Sequence, residues 1–309
     1  MARLATFWAL ILMAGLPGAC PAGDQDIGPF VFSYFKGNGE DGLHLAWSAD
    51  GLKWEPLAGD KALTTPRVGG KLMRDPSIAQ GPDGTFHMVW SSGWWDKGFG
   101  YAWSKDLIHW SEHRYIPVNE KVQGAKNTWA PDLFYDRTSK QFVIVFATTV
   151  PGRFPETDQD GDHNHRQYWI LTKDFQDFSE PAIAFNPGHN CIDATLFSTE
   201  KGLTAIYKDE QPGHKRLHMA TSAGIGQPWK FDSKPILERD WVEGPTVLRV
   251  GNTWRLYFDC YTKGHFGAAE STDGTTWKDI TEKVSLPKGA RHGTAFAVSR
   301  EILEGLRKR

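Results

Sequence analysis

Five residues of this 309-residue chain have the chemical types that acid–base work requires, and they sit in similar local settings. They are Asp75 in RDPSI, Asp132 in WAPDL, Asp193 in CIDATL, Glu243 in EGPTV and His292 in RHGTAF. Each stands at the head of a short run of β-branched and aromatic residues. A carboxylate at the start of a buried strand is costly unless it is paired, so each is either a satisfied structural cap or a working group. Asp75, Asp193 and Glu243, set beside small or turn residues, read as working groups. Such a trio suits cleavage of a glycosidic bond. One carboxylic acid protonates the departing oxygen, and one carboxylate activates water or attacks the anomeric carbon. A third raises the pKa of the acid by like-charge repulsion and holds it in place.

For residues so far apart in sequence to meet, the elements carrying them must be arranged around an axis. Strand-like runs recur along the chain, among them FVFSYF from Phe30, LHLAWS from Leu43, TFHMVWS from Thr85, QFVIVFA from Gln141 and TWRLYFD from Thr253. Gly, Asp or Pro turns separate them, and no long segment keeps a helical period. Only the last ten residues, from Arg300, suggest a short helix. A Ser/Thr–turn–aromatic signature appears five times: SADGLKW, SKDLIHW, TKDFQDF, SAGIGQPW and STDGTTW. Before each of the last four copies comes one of the inner-strand starts RDPSI, WAPDL, CIDATL or EGPTV. Units of roughly 40 to 60 residues with four strands each are the arithmetic of propeller blades. The first unit lacks its inner strand, and RHGTAFAVS, Arg291 to Ser299, supplies it from the far end. The expected fold is all-β: a five-bladed β-propeller closed by N- and C-terminal strands, one catalytic domain over residues 27–309. A β-sandwich gives no reason for both signatures to repeat in order. In the propeller, Asp193 and Glu243 lie on adjacent blades, which fits Asp193 as modulator beside Glu243 as acid. Asp75 lies across the channel, with room for a water between.

The loops after the second strands form the rim of the same face. They bring Trp94 and Trp95, whose flat faces suit sugar stacking, near Trp129. The longest insertion, residues 152–168, carries Arg153 and His165, one of which is expected to reach the sugar. Its alternating Asp158, Asp160 and Asp162 also suggest a calcium loop, although the full ligand pattern with its terminal Glu is absent. Lys208 and Asp209 are placed to bind hydroxyls, Asp259 and Tyr261 follow the second strand of the Glu243 unit, and Arg291 is placed to pair with a channel carboxylate.

Net charge is −2 and no basic stripe stands out, which argues against a nucleic-acid partner. Residues 1–22 read as an export signal: Arg3, an apolar stretch from Leu4 to Leu16, then small residues. Cys20 allows lipid anchoring. The chain is expected to be exported, without a transmembrane helix, and monomeric. Cys191 and Cys260 lie in apolar segments and read as buried free thiols, since two isolated Cys lack zinc spacing.

Taken together, RDPSI, WAPDL, IDATLF, EGPTVLRVGNTWRLYF and RHGTAF resemble glycoside hydrolase family 43, in its arabinofuranosidase, xylosidase and galactofuranosidase group. The resemblance covers the chain beyond its leader. It implies Asp75 as general base, Asp193 as pKa modulator, Glu243 as general acid and inversion at the anomeric carbon. It also implies that His292 approaches, through water, a calcium ion in the central channel. The activity it points to is exo-action on furanosyl side chains of an oligo- or polysaccharide, first as an α-L-arabinofuranosidase, with β-galactofuranosidase or β-xylosidase as alternatives. A non-catalytic carbohydrate-binding propeller is the alternative of another class.

Overall fold

The computed structural model describes residues 28–158 and 163–309. The segment read as an export signal, Cys20 included, lies outside these residues, as do Asp160 and Asp162. The described chain forms five four-stranded antiparallel sheets. The first contributes β1 (Phe30–Tyr34), β2 (His44–Ser48) and β3 (Glu55–Pro56). The second contains β4 (Arg74–Gln80), β5 (Phe86–Ser91), β6 (Phe99–Ser104) and β7 (Arg114–Ile116). The third contains β8 (Trp129–Asp136), β9 (Gln141–Thr149), β10 (His165–Thr172) and β11 (Ala182–Phe185). The fourth contains β12 (Cys191–Thr199), β13 (Gly202–Asp209), β14 (Leu217–Ser222) and β15 (Trp229–Phe231). The fifth contains β16 (Glu243–Val250), β17 (Thr253–Cys260), β18 (His265–Ser271) and β19 (Lys278–Asp279). The strand missing from the first sheet, β20 (Ala295–Ala297), pairs with β1, Phe32 opposite Ala295.

Each sheet is a meander, and the first strands touch in a closed circle: β4, β8, β12, β16, β20 and back to β4. This is the five-bladed propeller, with the ends of the described chain sharing one blade. Five apolar clusters hold it, one between each pair of neighbouring blades. Between the first and second, Val31 and Leu45 meet Ile78, Met88 and Trp90; between the fifth and first, Leu248 and Tyr257 meet Phe32 and Trp54. Burial of whole aliphatic and aromatic side chains, each worth about 1.5–3 kcal/mol, is what binds blade to blade.

The repeated turn signature has a physical basis. Ser48 Oγ accepts the N–H of Gly51 at 2.8 Å, and Asp50 Oδ1 accepts that of Leu52 at 2.8 Å. Ser104 with Asp106, Thr172 with Asp174 and Ser271 with Asp273 repeat the arrangement. Short oxygen-bearing side chains thus satisfy the turn's N–H groups between third and outer strands. The fourth copy has no Asp, and Ser222 Oγ donates to the carbonyls of Gly224 and Gln227 instead.

The expected terminal helix is α1 (Arg300–Arg307), capped by Ser299, whose Oγ accepts from Ile302 N at 3.2 Å. It lays Leu303 and Leu306 into the cluster between the first two blades. Cys191 and Cys260 are buried free thiols. Among the described residues no helix is long and apolar enough to cross a membrane.

Candidate active site

The four inner strands β4, β8, β12 and β16 share one defect at the same place. Pairing with the second strand shifts by one residue between Arg74 and Ser77, Trp129 and Asp132, Ile192 and Thr195, and Glu243 and Thr246. The aligned tetrads are Arg-Asp-Pro-Ser, Trp-Ala-Pro-Asp, Ile-Asp-Ala-Thr and Glu-Gly-Pro-Thr. At the second position the backbone is left-handed: φ is 53° at Asp75, 44° at Ala130, 53° at Asp193 and 57° at Gly244. Non-glycine residues held there cost on the order of 1–3 kcal/mol each, a cost characteristic of positions kept for function. At the fourth copy a β-carbon would collide with the ring of His292, so glycine is required. Arg291-His292-Gly293-Thr294 is the fifth tetrad. There too pairing steps by one residue, between Phe35↔Arg291 and Phe32↔Ala295.

The defect decides where side chains go. All five first-position residues, Arg74, Trp129, Ile192, Glu243 and Arg291, line one cavity of about 390 Å³, with Asp75, Ala130 and Asp193 from the second position. That size falls within the roughly 300–1,000 Å³ usual for ligand sites. Trp94, Ser91, Gly93, Lys208, Glu210 and Tyr261 complete the wall. Fourth-position groups tie the channel together beneath it. Ser77 Oγ donates to Asp132 Oδ1 at 2.8 Å, and Thr246 Oγ1 accepts from Ala295 N at 3.2 Å.

Asp75, Asp193 and His292 form one largely buried knot. His292 Nδ1 lies 3.3 Å from Asp75 Oδ1 and 3.8 Å from Asp193 Oδ2. Ser91 Oγ donates to Asp75 Oδ2 at 2.8 Å, and Gly244 N donates to Asp193 Oδ2 at 3.0 Å. Burial pushes the Asp75 carboxyl up, but the hydrogen bond and charge of His292, with Arg74 behind, more than offset this and hold it at about 2. Burial dominates at Asp193, with Glu243 and Asp75 adding like charge, and raises it to about 6. For His292, burial alone would favour the neutral ring; Asp75, Asp193 and Glu243 outweigh it and raise the imidazolium pKa to about 9. At neutral pH the knot is therefore an imidazolium between carboxyl groups.

Glu243 stands outside the knot, with a cation on each oxygen: Arg291 Nη2 at 2.8 Å from Oε1 and Lys208 Nζ at 3.0 Å from Oε2. Lys208 also meets Glu210 at 2.8 Å, and Arg291 Nε meets Asp259 at 2.5 Å. Lys215 closes the chain on Glu210. Asp259 is buried and acts on the cavity through Arg291.

The rim residues divide. Trp94 and Trp129 line the cavity edge to face, 5.9 Å between centroids, and Trp129 Nε1 donates to Trp94 O. Trp95, half-exposed, adjoins Trp129 but lies off the cavity wall. His165 was expected to reach the sugar; it is buried behind Trp129, stacked at 4.5 Å, its Nε2 bonded to Asn127. Burial lowers its pKa to about 3, so it is a neutral prop. Arg153 is exposed, 5.4 Å from the Tyr168 ring, and is not on the wall either. Asp209 is buried facing His189 and Gln211, away from the cavity. Alternation explains the split at β13: Lys208 and Asp209 are adjacent, so they point to opposite faces.

Arg74, Ser91, Ala130, Ile192 and Glu210 were not singled out as site residues from the sequence. Aligning the tetrads places Arg74 and Ile192 with Glu243. Ser91 carries no such signal, because it arrives opposite Arg74 only through strand pairing. The sequence also gave no hint of Arg166, which is fully buried. It bonds Asn164, Asn186 and Thr157 and the carbonyl of His165, anchoring the inserted loop from beneath.

Among the described residues no three His, Cys, Asp or Glu side chains are arranged to hold an ion directly, so a calcium ion near His292 would be held through water rather than by a cage of side chains.

Comparison with known proteins agrees with this geometry. A stretch of 136 residues, 40% of this chain, is 25% identical to an α-L-arabinofuranosidase of Bifidobacterium longum subsp. longum, and spans only 12% of that relative. Solved structures share the fold. An α-L-arabinofuranosidase from Lactobacillus brevis has a TM-score of 0.51 at 22% identity over 68% of this chain and 72% of that one. A family 117 glycoside hydrolase from the marine bacterium Zobellia galactanivorans has a TM-score of 0.57 at 13% identity, over 85% and 77% respectively. Residues 26–304 match the model of a family described as "Probable glycosyl hydrolase domain" and related to glycoside hydrolase family 43. With five bladed sheets, the carboxylates of Asp75, Asp193 and Glu243 in one cavity and a match over nearly its whole length, the chain belongs to this family of glycosidases.

Proposed function

We propose that the cavity removes a terminal furanosyl unit from an oligo- or polysaccharide with inversion, as an α-L-arabinofuranosidase. The observation that carries the reading is the convergence of Asp75, Asp193 and Glu243 on one cavity whose base is tied by the fourth-position groups. The two arabinofuranosidases among the relatives support the choice of sugar.

In this mechanism Asp75, ionised well below neutral pH, takes a proton from water. The water oxygen bonds to the anomeric carbon as the exocyclic C–O bond breaks, and Glu243 gives its proton to the departing oxygen. Solvent restores the proton to Glu243 and receives the one on Asp75. Asp193, at about 6, is the neighbouring carboxyl that carries a proton at mildly acidic pH.

Hydrolysis of para-nitrophenyl α-L-arabinofuranoside, β-D-galactofuranoside and β-D-xyloside tests the reading. The arabinofuranoside should have the highest kcat/KM; a preference for either other sugar, or no turnover of all three, overturns the assignment. Export is proposed from the N-terminal sequence alone, and N-terminal sequencing of protein recovered outside the cytoplasm tests it.

A further inference from the structure

Three of the four cations at the cavity stand in ion pairs with carboxylates. Lys208 faces Glu243 and Glu210, Arg291 faces Glu243 and Asp259, and His292 faces Asp75 and Asp193. Arg74 lines the same cavity and, among the described residues, forms no ion pair. Its neighbour in sequence does not neutralise it at contact, because Asp75 spends Oδ1 on His292 and Oδ2 on Ser91. The guanidinium is nevertheless held firmly. Its centre lies 4.2 Å from the Trp94 ring centroid and 4.7 Å from that of Phe35. Nη1 donates to Asn38 Oδ1 at 3.1 Å, and the same oxygen accepts Trp94 Nε1 at 3.1 Å. A flat cation is thus fixed by two aromatic faces and oriented by one amide. Its other N–H donors have no acceptor among the described residues.

An arginine fixed in this way has already lost the rotamer freedom that binding would otherwise remove, and its fork matches the paired oxygens of an anion. A neutral sugar filling the cavity would strip water from this cation and return only hydroxyl contacts, whereas an anionic group would return a charge-assisted pair. We infer that Arg74 is an anion subsite, and that the substrate carries a carboxylate or sulfate ester close to the scissile bond. The inference rests on the cavity of the proposed function and narrows its substrate class to acidic glycans. Uronosyl units and sulfated sugars both supply such oxygens.

Calorimetric titration with glucuronate, galacturonate, galactose 6-sulfate and galactose at low salt tests this without requiring turnover, so a failed furanosidase assay leaves it readable. At least one acidic sugar should bind about tenfold or more tightly than galactose, with an advantage that shrinks as salt rises. Whether the uronates or the sulfate ester gain most identifies the source. In Arg74→Gln the advantage should fall to within twofold, and Arg74→Lys should retain part of it. Near-ultraviolet circular dichroism checks that the variants are folded. Equal binding of acidic and neutral sugars by the native protein, or an advantage that survives in folded Arg74→Gln, overturns the inference.

Discussion

In the second blade the residue at the left-handed position of the inner strand is Asp75; in the fifth it is Gly244, and the carboxylate stands one place earlier, at Glu243. The backbone device is the same and the surroundings differ. Asp75, a short side chain, turns to Ser91 and His292, and both of its oxygens are fixed by neighbours that do not move without breaking the knot. Glu243, longer by one methylene, stands between Lys208 and Arg291, each shared with another carboxylate. In the proposed mechanism one side is a rigid, ionised base, and the other is an acid held in a chain of alternating charges. A one-residue displacement within a repeated strand separates the two roles.

Removing either carboxylate gives the largest effect. Asp75→Ala and Glu243→Ala should each lower kcat by about 10²–10⁴-fold, with circular dichroism unchanged. Near-native turnover in either would remove the basis of the comparison. Next in size is stereochemistry, an all-or-none result: proton NMR of the first product should show the inverted anomer if a water attacks from between the two carboxyl groups, the arrangement of inverting enzymes. Retention would mean that Asp75 attacks the sugar itself.

Most of what these experiments probe could be read from the chain. The five turn signatures and the placing of RHGTAF as the missing inner strand gave the propeller and its closure, because each blade must satisfy the same turn and inner-strand needs. The carboxylates were legible because they head those strands. The contents of the rim were not. His165 and Asp209 have the right chemistry for sugar binding, but only strand alternation and the stacking on Trp129 show that they face away. Ser91 and Arg74 reach the cavity through a one-residue shift in pairing, and no local composition announces a shift of that kind.

The knot gives a pH signature. His292 is raised from 6.5 to about 9, so its contribution to stability is full below about 6.5 and is lost as pH rises through about 9. Asp75, depressed to about 2, contributes above its unfolded value near 3.8 and loses that contribution as pH falls through about 2. The thermal midpoint of the native protein should therefore drop by several degrees between pH 6.5 and 9 through this group. In His292→Asn that slope should flatten. An unchanged slope would place the imidazolium elsewhere.

Lys208→Met removes one of the two cations on Glu243. We expect kcat/KM to fall roughly tenfold, because one of the two groups that hold the Glu243 carboxyl in place is gone. An unchanged kcat/KM would show that Arg291 alone positions the acid. The smallest expected effect is that of a chelator: overnight EDTA treatment should leave turnover within about twofold, and a loss of an order of magnitude would assign the channel a working cation.

The strand that completes the first blade is residues 295–297, and Arg291 and His292 immediately precede it. During synthesis, four blades can emerge from the ribosome while Glu243 still lacks its guanidinium partner and Asp75 its imidazolium. In the proposed mechanism hydrolytic competence then arrives only when residues 291–297 dock against residues 30–35. A product cut short before residue 291 should be inactive even if its other sheets fold.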